Sequence, residues 1–253
     1  MTAYIASLQN ELTKIYRRKK YIVLLVIEAL VCLAYGGISL VVVNAMTAGS
    51  VTNLALANLP MNMLTFFIQL YIPLIVFMAA CDLFTTEMHD GTIRASFMRP
   101  VSRIKTYFAK VAAIAILAVM YLVVAFVMTT VMKYMFGGGN AGAAGLLESF
   151  GAYFLDIVPL IVLILFAAML NQIFTSPSLS IIICVIMYAG LYILGITVPQ
   201  FSALVFTGYA QWHNIWLGIA LPFGVMLSKV ALLGGYGIVF ASVGYYLFER
   251  KEV

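Results

Sequence analysis

The sequence carries very little charge. Only 9% of its 253 residues are Asp, Glu, Lys or Arg, whereas 64% are hydrophobic and the mean hydropathy is +1.09. A soluble domain carries about 25% charged residues, so this chain has too few to cover a water-facing surface. A soluble enzyme or binding domain is therefore excluded, and most of the outer surface is expected to face lipid.

Residues typical of metal, redox and nucleotide sites are also scarce. The three cysteines and two histidines lie far apart, without a CxxC pair or the spacing of zinc ligands. No GxxxxGK[ST] segment occurs, and the glycine-rich stretch 137–142 follows no predicted strand, so ATP binding to this chain is not expected. We predict no catalytic residues, no metal site and no cofactor on this chain.

Long apolar runs, by contrast, are abundant. Six of them are long enough to cross about 30 Å of hydrocarbon as helices. They cover approximately residues 21–43, 62–81, 109–132, 156–175, 179–198 and 227–248. We predict an all-α polytopic membrane protein with six transmembrane helices, in which residues 1–253 form a single transmembrane domain.

The N-terminal segment 1–20 has apolar residues at helical spacing, such as Leu8, Leu12 and Ile15, and ends in a basic cluster. This pattern predicts an amphipathic helix in the membrane interface; the alternative is a solvated tail. Twelve of the 14 lysines and arginines lie in this segment, between spans two and three or at the entry of span three, or after span six. The positive-inside rule therefore predicts that both termini are cytoplasmic.

The external region 199–226 is apolar but is broken by prolines and glycines. Its apolar runs are too short to span, so we predict short re-entrant helices between spans five and six, with Trp212 and Trp216 at interfacial depth. An external loop with interfacial aromatic residues is the alternative.

Glu28 is an ionisable residue in the first third of span one, with no compensating charge nearby in the sequence. A carboxyl at such depth is a candidate for a translocation path or a cation site. A carboxyl that reaches the interface, or that is hydrogen-bonded to a neighbouring helix, is the structural alternative.

The segment between spans two and three is the most polar part of the chain. It places carboxylates, an imidazole and several basic residues within 82–110. Gly91 and Pro100 punctuate it, which predicts a helix–turn–helix beneath the membrane. We predict that residues 82–107 form a cytoplasmic coupling helix and loop that docks a soluble partner; a solvated, positively charged loop is the alternative.

The same segment carries a family resemblance. It reads Glu87-x-x-x-Gly91-Thr92-x-Arg94, then Arg99-Pro100-Val101-Ser102-Arg103, with Lys110 at the entry of span three. This pattern resembles the first cytoplasmic loop of type-2 ABC transporter permeases. The start of the chain near residues 10–12, its end at 248–252 and the six-span layout are similar to that family as well.

The resemblance implies the membrane subunit of an ATP-driven exporter in a bacterial plasma membrane. A separate cytoplasmic ABC ATPase would hold ATP and Mg, and a second permease, identical or related, would complete the transporter. The residues that would couple to the ATPase are Glu87, Gly91, Thr92, Arg94, Pro100 and Arg103. Spans rich in Met, Phe and Tyr favour an amphipathic or hydrophobic cargo such as a peptide antibiotic, a drug or a lipid-like molecule, and hence a role in antibiotic resistance.

Two other functions are consistent with the sequence. A stand-alone secondary transporter or ion channel could use Glu28 as its ion site and would need no ATPase. However, secondary transporters often show matching broken helices in two halves, and only 199–226 is broken here. A membrane scaffold for a signalling partner is the third possibility.

Overall fold

The computed structural model describes residues 2–45, 59–92, 102–136, 143–217 and 222–250, which form helices and turns and no β-strand. In chain order the helices are α1 (Thr2–Tyr16), α2 (Lys19–Ala45), α3 (Leu59–His89), α4 (Arg103–Phe136), α5 (Ala143–Leu155), α6 (Ile157–Leu170), α7 (Pro177–Thr197), α8 (Pro199–Ser202), α9 (His213–Leu217) and α10 (Phe223–Glu249). A 3-10 turn at Phe206–Tyr209 separates α8 from α9.

Six stretches of described helix are long and apolar enough to cross a membrane, which confirms the predicted all-α, six-span fold. They are Lys19–Ser39, Leu59–His89, Arg103–Met135, Gly145–Leu170, Pro177–Thr197 and Phe223–Glu249. The fourth span consists of α5 and α6, which meet at Asp156. It therefore begins earlier than the apolar run at 156–175 predicts.

Helix α3 also differs from its predicted boundaries, because it continues to His89 rather than ending near 81. It contains two π-helical segments, Phe67–Tyr71 and Cys81–Thr85. The first precedes Pro73, which cannot donate a backbone hydrogen bond to the carbonyl of Gln69. The Tyr188 hydroxyl of α7 donates to that carbonyl instead, at 3.1 Å.

The centre of the bundle is formed by α3, α4 and α6. Helix α6 is apolar on every side and buries ten of its fourteen residues, as expected of a helix surrounded by other helices. Helices α2, α7 and α10 expose large apolar side chains instead, among them Ile22, Ile186 and Ile238. These outer faces are suited to lipid.

The bundle has two distinct ends. We call the end that holds Arg18, Glu87, Arg103 and Glu249 the terminal side, because both ends of the described chain lie there, and the opposite end the distal side. On the distal side, Asp156 accepts hydrogen bonds from the backbone N–H of His213 at 2.8 Å and pairs with its imidazole at 2.7 Å. These contacts attach α9 to the start of α6.

The segments flanking the spans are helical where they are described. Helix α1 packs along α4 and buries Ile15, although Ile5 is exposed. Three short helical turns, α8, the 3-10 turn and α9, follow α7, and residues 218–221 of the predicted re-entrant region lie outside the described residues. How α1 and these turns sit relative to lipid stays a prediction.

Candidate functional site

Four charged side chains form a closed ring at the terminal side, which we call the ion ring: Glu11, Lys14, Glu87 and Lys110. The Lys14 ammonium lies 2.8 Å from Glu11 Oε1 and 2.7 Å from Glu87 Oε1. The Lys110 ammonium lies 2.9 Å from Glu11 Oε2 and 2.7 Å from Glu87 Oε2. Each carboxylate therefore bridges both ammonium groups.

Three helices contribute to the ion ring. Glu11 and Lys14 lie one turn apart on α1, Glu87 is near the end of α3, and Lys110 is two turns into α4. Side chains three positions apart on a helix share a face, so α1 presents both of its charges to the α3–α4 pair. The ring thus connects an N-terminal helix to the two helices that flank the predicted coupling loop.

Burial makes the ion ring energetically important. Lys110 is fully buried, and the side chains of Glu11 and Glu87 are only 2% and 7% exposed, whereas that of Lys14 is 36% exposed. Two positive and two negative charges balance, and every oxygen of both carboxylates is paired. Removing one partner of a buried ion pair costs about 3–5 kcal/mol, because it leaves a charge without compensation.

The protonation of the α1 members is set by competing effects. Burial by itself raises the pKa of Glu11, but the ammonium groups of Lys110 and Lys14 outweigh it and lower the pKa below the ordinary 4.5. Burial lowers the pKa of Lys14, but Glu87 and Glu11 outweigh it and raise the pKa above 10.5. Both groups are therefore charged at neutral pH.

These shifts predict that Glu11 and Lys14 contribute a constant amount to stability around neutrality. The Glu11 contribution is fully present above pH 4.5 and is lost as the pH falls through the lower pKa of the folded state. The Lys14 contribution is fully present below pH 10.5 and is lost as the pH rises through its higher folded-state pKa. The difference in thermal midpoint between the wild type and Glu11→Gln in detergent should be constant from about pH 6 to 9, and a steep change of this difference inside that range would contradict these assignments.

A second charged cluster fixes the corner between α1 and α2. Asp82 on α3 pairs with Arg18 and Lys20, each at 2.6 Å, and accepts a hydrogen bond from the Tyr21 hydroxyl. Asp82 is 4% exposed. This carboxylate therefore holds the start of α2 against α3, close to the ion ring.

The sequence-predicted coupling residues divide into buried and exposed groups. Glu87 is buried in the ion ring, whereas Gly91, Thr92 and Arg103 are exposed. Arg94 and Pro100 lie outside the described residues. Gly91 and Thr92 follow the ring member Glu87 at the end of α3, and Arg103 lies about two turns before Lys110 on α4.

Local geometry explains the residues around the start of the loop. Gly91 has a φ of +68°, a left-handed conformation that favours glycine after a helix. The Thr92 hydroxyl donates to the carbonyl of Glu87 at 3.3 Å, and Arg103 donates to the carbonyl of Glu249 at 2.5 Å. The loop thus begins at a fixed turn, and α4 begins against the end of α10.

Sequence reasoning did not identify the ion ring or the Asp82 cluster. The partners are 73 and 99 residues apart for the Lys14–Glu87 and Lys110–Glu11 contacts, so no local spacing connects them. One signal was available: in a chain with so few charges, each carboxylate beside an apolar run needs a cation. The spacing of Glu11 and Lys14, three positions apart on one helix, is the part of the ring that the sequence itself indicates.

Glu28 stands apart from both clusters. It lies on α2 with 0% of its surface exposed, and neither carboxylate oxygen has a hydrogen-bond partner among the described residues. It is close enough to Tyr71 and Cys32 for electrostatic interaction with both. No neighbouring helix donates a hydrogen bond to this carboxylate within the described residues, and its position relative to the membrane interface stays a prediction.

The comparisons with known proteins agree with this architecture. Residues 7–191 match the family described as ABC-2 family transporter protein. The match contains Glu28, both charged clusters, the predicted coupling loop, the first four spans and most of the fifth. None of the curated proteins that were compared matches the chain.

The matched region covers most of the chain and includes the segment on which the sequence resemblance rested. Members of this family are membrane components of ABC transporters that work with an ABC ATPase subunit and are not enzymes themselves. With its six apolar helices the protein is accordingly a multi-pass membrane permease. The chain therefore belongs to the ABC-2 family of transporter proteins.

Proposed function

We propose that this protein is the permease subunit of an ATP-driven exporter and that the loop after α3 transmits force from a separate ATPase. The observation that carries the proposal is the ion ring, because it ties α1, α3 and α4 together and its member Glu87 accepts, through its backbone carbonyl, a hydrogen bond from the exposed Thr92. A force applied to this loop would therefore move three helices together.

The mechanism follows from the stiffness of that connection. ATP-driven closure of an ATPase dimer would press on the loop, and the ring would convert the push into a shift of α3 and α4. The spans would then alternate between inward-facing and outward-facing arrangements whose populations depend on the nucleotide. Glu87 would act from inside the protein, whereas Thr92 and Arg103 would contact the ATPase.

The partners and location follow from this role. The proposed complex has a cytoplasmic ABC ATPase that holds ATP and Mg beneath each permease, and a second permease, identical or related, completes the path. Both termini would be cytoplasmic in a bacterial plasma membrane, since twelve of the 14 lysines and arginines lie in the segment 1–20, between spans two and three or at the entry of span three, or after span six. The proposed cargo is an amphipathic or hydrophobic molecule such as a peptide antibiotic, a drug or a lipid, and its export would confer resistance.

Co-purification tests the proposal. The tagged chain, extracted from its native membrane in mild detergent, should retain a separate subunit that hydrolyses ATP. The variant Thr92→Trp places a bulky ring at the exposed start of the loop and should reduce that recovery at least about tenfold, because a disrupted interface contact costs about 1.4 kcal/mol or more. Thr197→Trp is the matched control, since Thr197 is exposed at the distal end of α7.

Recovery of the ATPase with Thr197→Trp but not with Thr92→Trp supports the proposal. If the wild-type chain retains no ATP-hydrolysing subunit, the protein does not act as an ABC permease. Equal recovery of the ATPase with both variants would instead show that the loop does not contact the ATPase.

A stand-alone secondary transporter or ion channel is the second candidate, and Glu28 is the observation that favours it. A buried carboxyl within a span is suited to carry a proton or bind a cation, and that of Glu28 has no hydrogen-bond partner in the part of the chain that the structure describes. In that case, the protein alone in liposomes should conduct ions or exchange cargo for protons without ATP, and Glu28→Gln should abolish the flux.

A further inference from the structure

A cavity of about 500 Å³ opens in the distal half of the bundle, far from the ion ring. It lies between α3, α7, the turns that follow α7, and α10. Gln69, Tyr192, Thr207 and Lys229 contribute polar groups to its lining, and Ile196 contributes an apolar wall. Its volume is within the range of small-molecule sites, about 300–1,000 Å³.

The α3 residue in this cavity lies at an irregular point of its helix. Gln69 belongs to the first π-helical segment, and such segments occur frequently at functional sites. The Tyr188 hydroxyl donates to the backbone carbonyl of Gln69 at 3.1 Å. The Tyr192 hydroxyl donates to the side-chain oxygen of Gln69 at 3.3 Å. The side-chain NH₂ of Gln69 has no acceptor in the described part of the chain.

Two further donors line the same cavity. The hydroxyl of Thr207 is buried without a hydrogen-bond partner in the described ranges, although Thr207 is only 2% exposed. Lys229 forms no ion pair with any carboxylate of residues 2–45, 59–92, 102–136, 143–217 or 222–250. A buried donor without an acceptor costs about 1–3 kcal/mol, which a bound acceptor would recover.

These three donors define the chemistry of an occupant. An amide NH₂, a hydroxyl and an ammonium together match a group with several acceptor oxygens and negative charge, such as a phosphate or carboxylate. The apolar wall beside them matches a hydrocarbon chain. We propose that this distal cavity binds an amphiphile through an anionic headgroup.

The proposed headgroup could belong to a transported amphiphile or to a bilayer lipid. A transported amphiphile and a bilayer lipid would present the same anionic headgroup. The proposal that the cavity binds such a headgroup rests on the cavity and its lining alone. Its assignment to cargo rests on the proposed exporter function.

A glycine in the cavity permits a specific blocking variant. Gly195 on α7 lines the cavity, and a Cβ added there would meet no atom within 4 Å. Gly195→Phe should therefore fill the cavity without disturbing the backbone. Gly190→Phe is its control, because Gly190 is exposed on the same helix, has equal space for a Cβ and does not line this cavity.

Binding is measured on the full chain in phosphatidylcholine nanodiscs with radiolabelled hexyl phosphate as the probe, and empty nanodiscs give the background. We expect saturable binding that Gly195→Phe abolishes and that Gly190→Phe leaves within about twofold. Lys229→Gln should weaken binding about tenfold, since a charged hydrogen bond is lost. Lys19→Gln, at an exposed lysine on the terminal side, should leave it unchanged.

Equal binding to wild type and Gly195→Phe would overturn the proposal, and so would equally tight binding of hexyltrimethylammonium. Phosphatidylglycerol added to the nanodisc distinguishes the two sources: displacement of the probe assigns the site to a bilayer lipid, and resistance assigns it to cargo. The binding measurement uses neither ATP nor an ATPase. A negative binding result would therefore refute the cavity proposal and leave the exporter proposal, which the co-purification tests, unaffected.

Discussion

Replacement of Lys110 by methionine is expected to lower the thermal midpoint of the detergent-solubilised protein by about 10 °C. Methionine has a similar length but no charge, so Glu11 and Glu87 would share the single ammonium of Lys14. One negative charge would then stay buried without compensation, at a cost of about 3–5 kcal/mol. Size-exclusion profiles after heating measure the midpoint.

The control for this variant lies on the same helix. Lys105 is exposed near the start of α4, so Lys105→Met removes an equal charge without opening a buried pair. The double variant Lys110→Met/Glu87→Gln restores charge balance and should recover at least half of the lost midpoint. A midpoint for Lys110→Met equal to that of Lys105→Met would show that the ion ring does not hold the three helices together.

Replacement of Glu28 by leucine is expected to have opposite effects on stability and on transport. The carboxyl is fully buried without a partner among the described residues, so its removal should stabilise the fold by about 1–3 kcal/mol and raise the midpoint by about 5 °C. Efflux of a fluorescent amphipathic peptide from cells should fall at least about tenfold, because destabilising groups are retained where function needs them.

Glu148 provides the comparison, since it is an exposed carboxylate on α5 whose replacement by leucine should change neither quantity substantially. If Glu28→Leu is more stable but transports normally, Glu28 does not line the translocation path. If it is less stable, the carboxyl has a structural partner.

The spans were predictable from the sequence because each apolar run is a local signal. Their ends were less predictable, since packing rather than composition determines them. Helix α3 passes the end of its apolar run because Asp82 and Glu87 find cations on other elements, so their charges can be buried. The fourth span begins before Asp156 because His213 pairs with that carboxylate.

The candidate site was predictable to a similar degree. Glu87, Gly91, Thr92 and Arg103 were chosen by their pattern, but the pattern could not distinguish the buried Glu87 from its exposed neighbours. That distinction depends on α1, whose sequence reads as a simple amphipathic helix. Glu28 was identifiable because a carboxyl inside an apolar run stands out in the sequence, and no knowledge of its neighbours is needed to notice it.

A separate ATPase is proposed to dock on the loop that begins at the exposed Gly91 and Thr92, and site-specific cross-linking tests this docking directly. All three native cysteines are buried, so a cysteine introduced by Thr92→Cys should react selectively with a short bifunctional thiol- and amine-directed reagent. We predict a cross-link in native membranes to an ATP-hydrolysing subunit from Thr92→Cys, and none from Thr197→Cys on the distal side. Cross-links from neither position, or from both equally, would contradict the account.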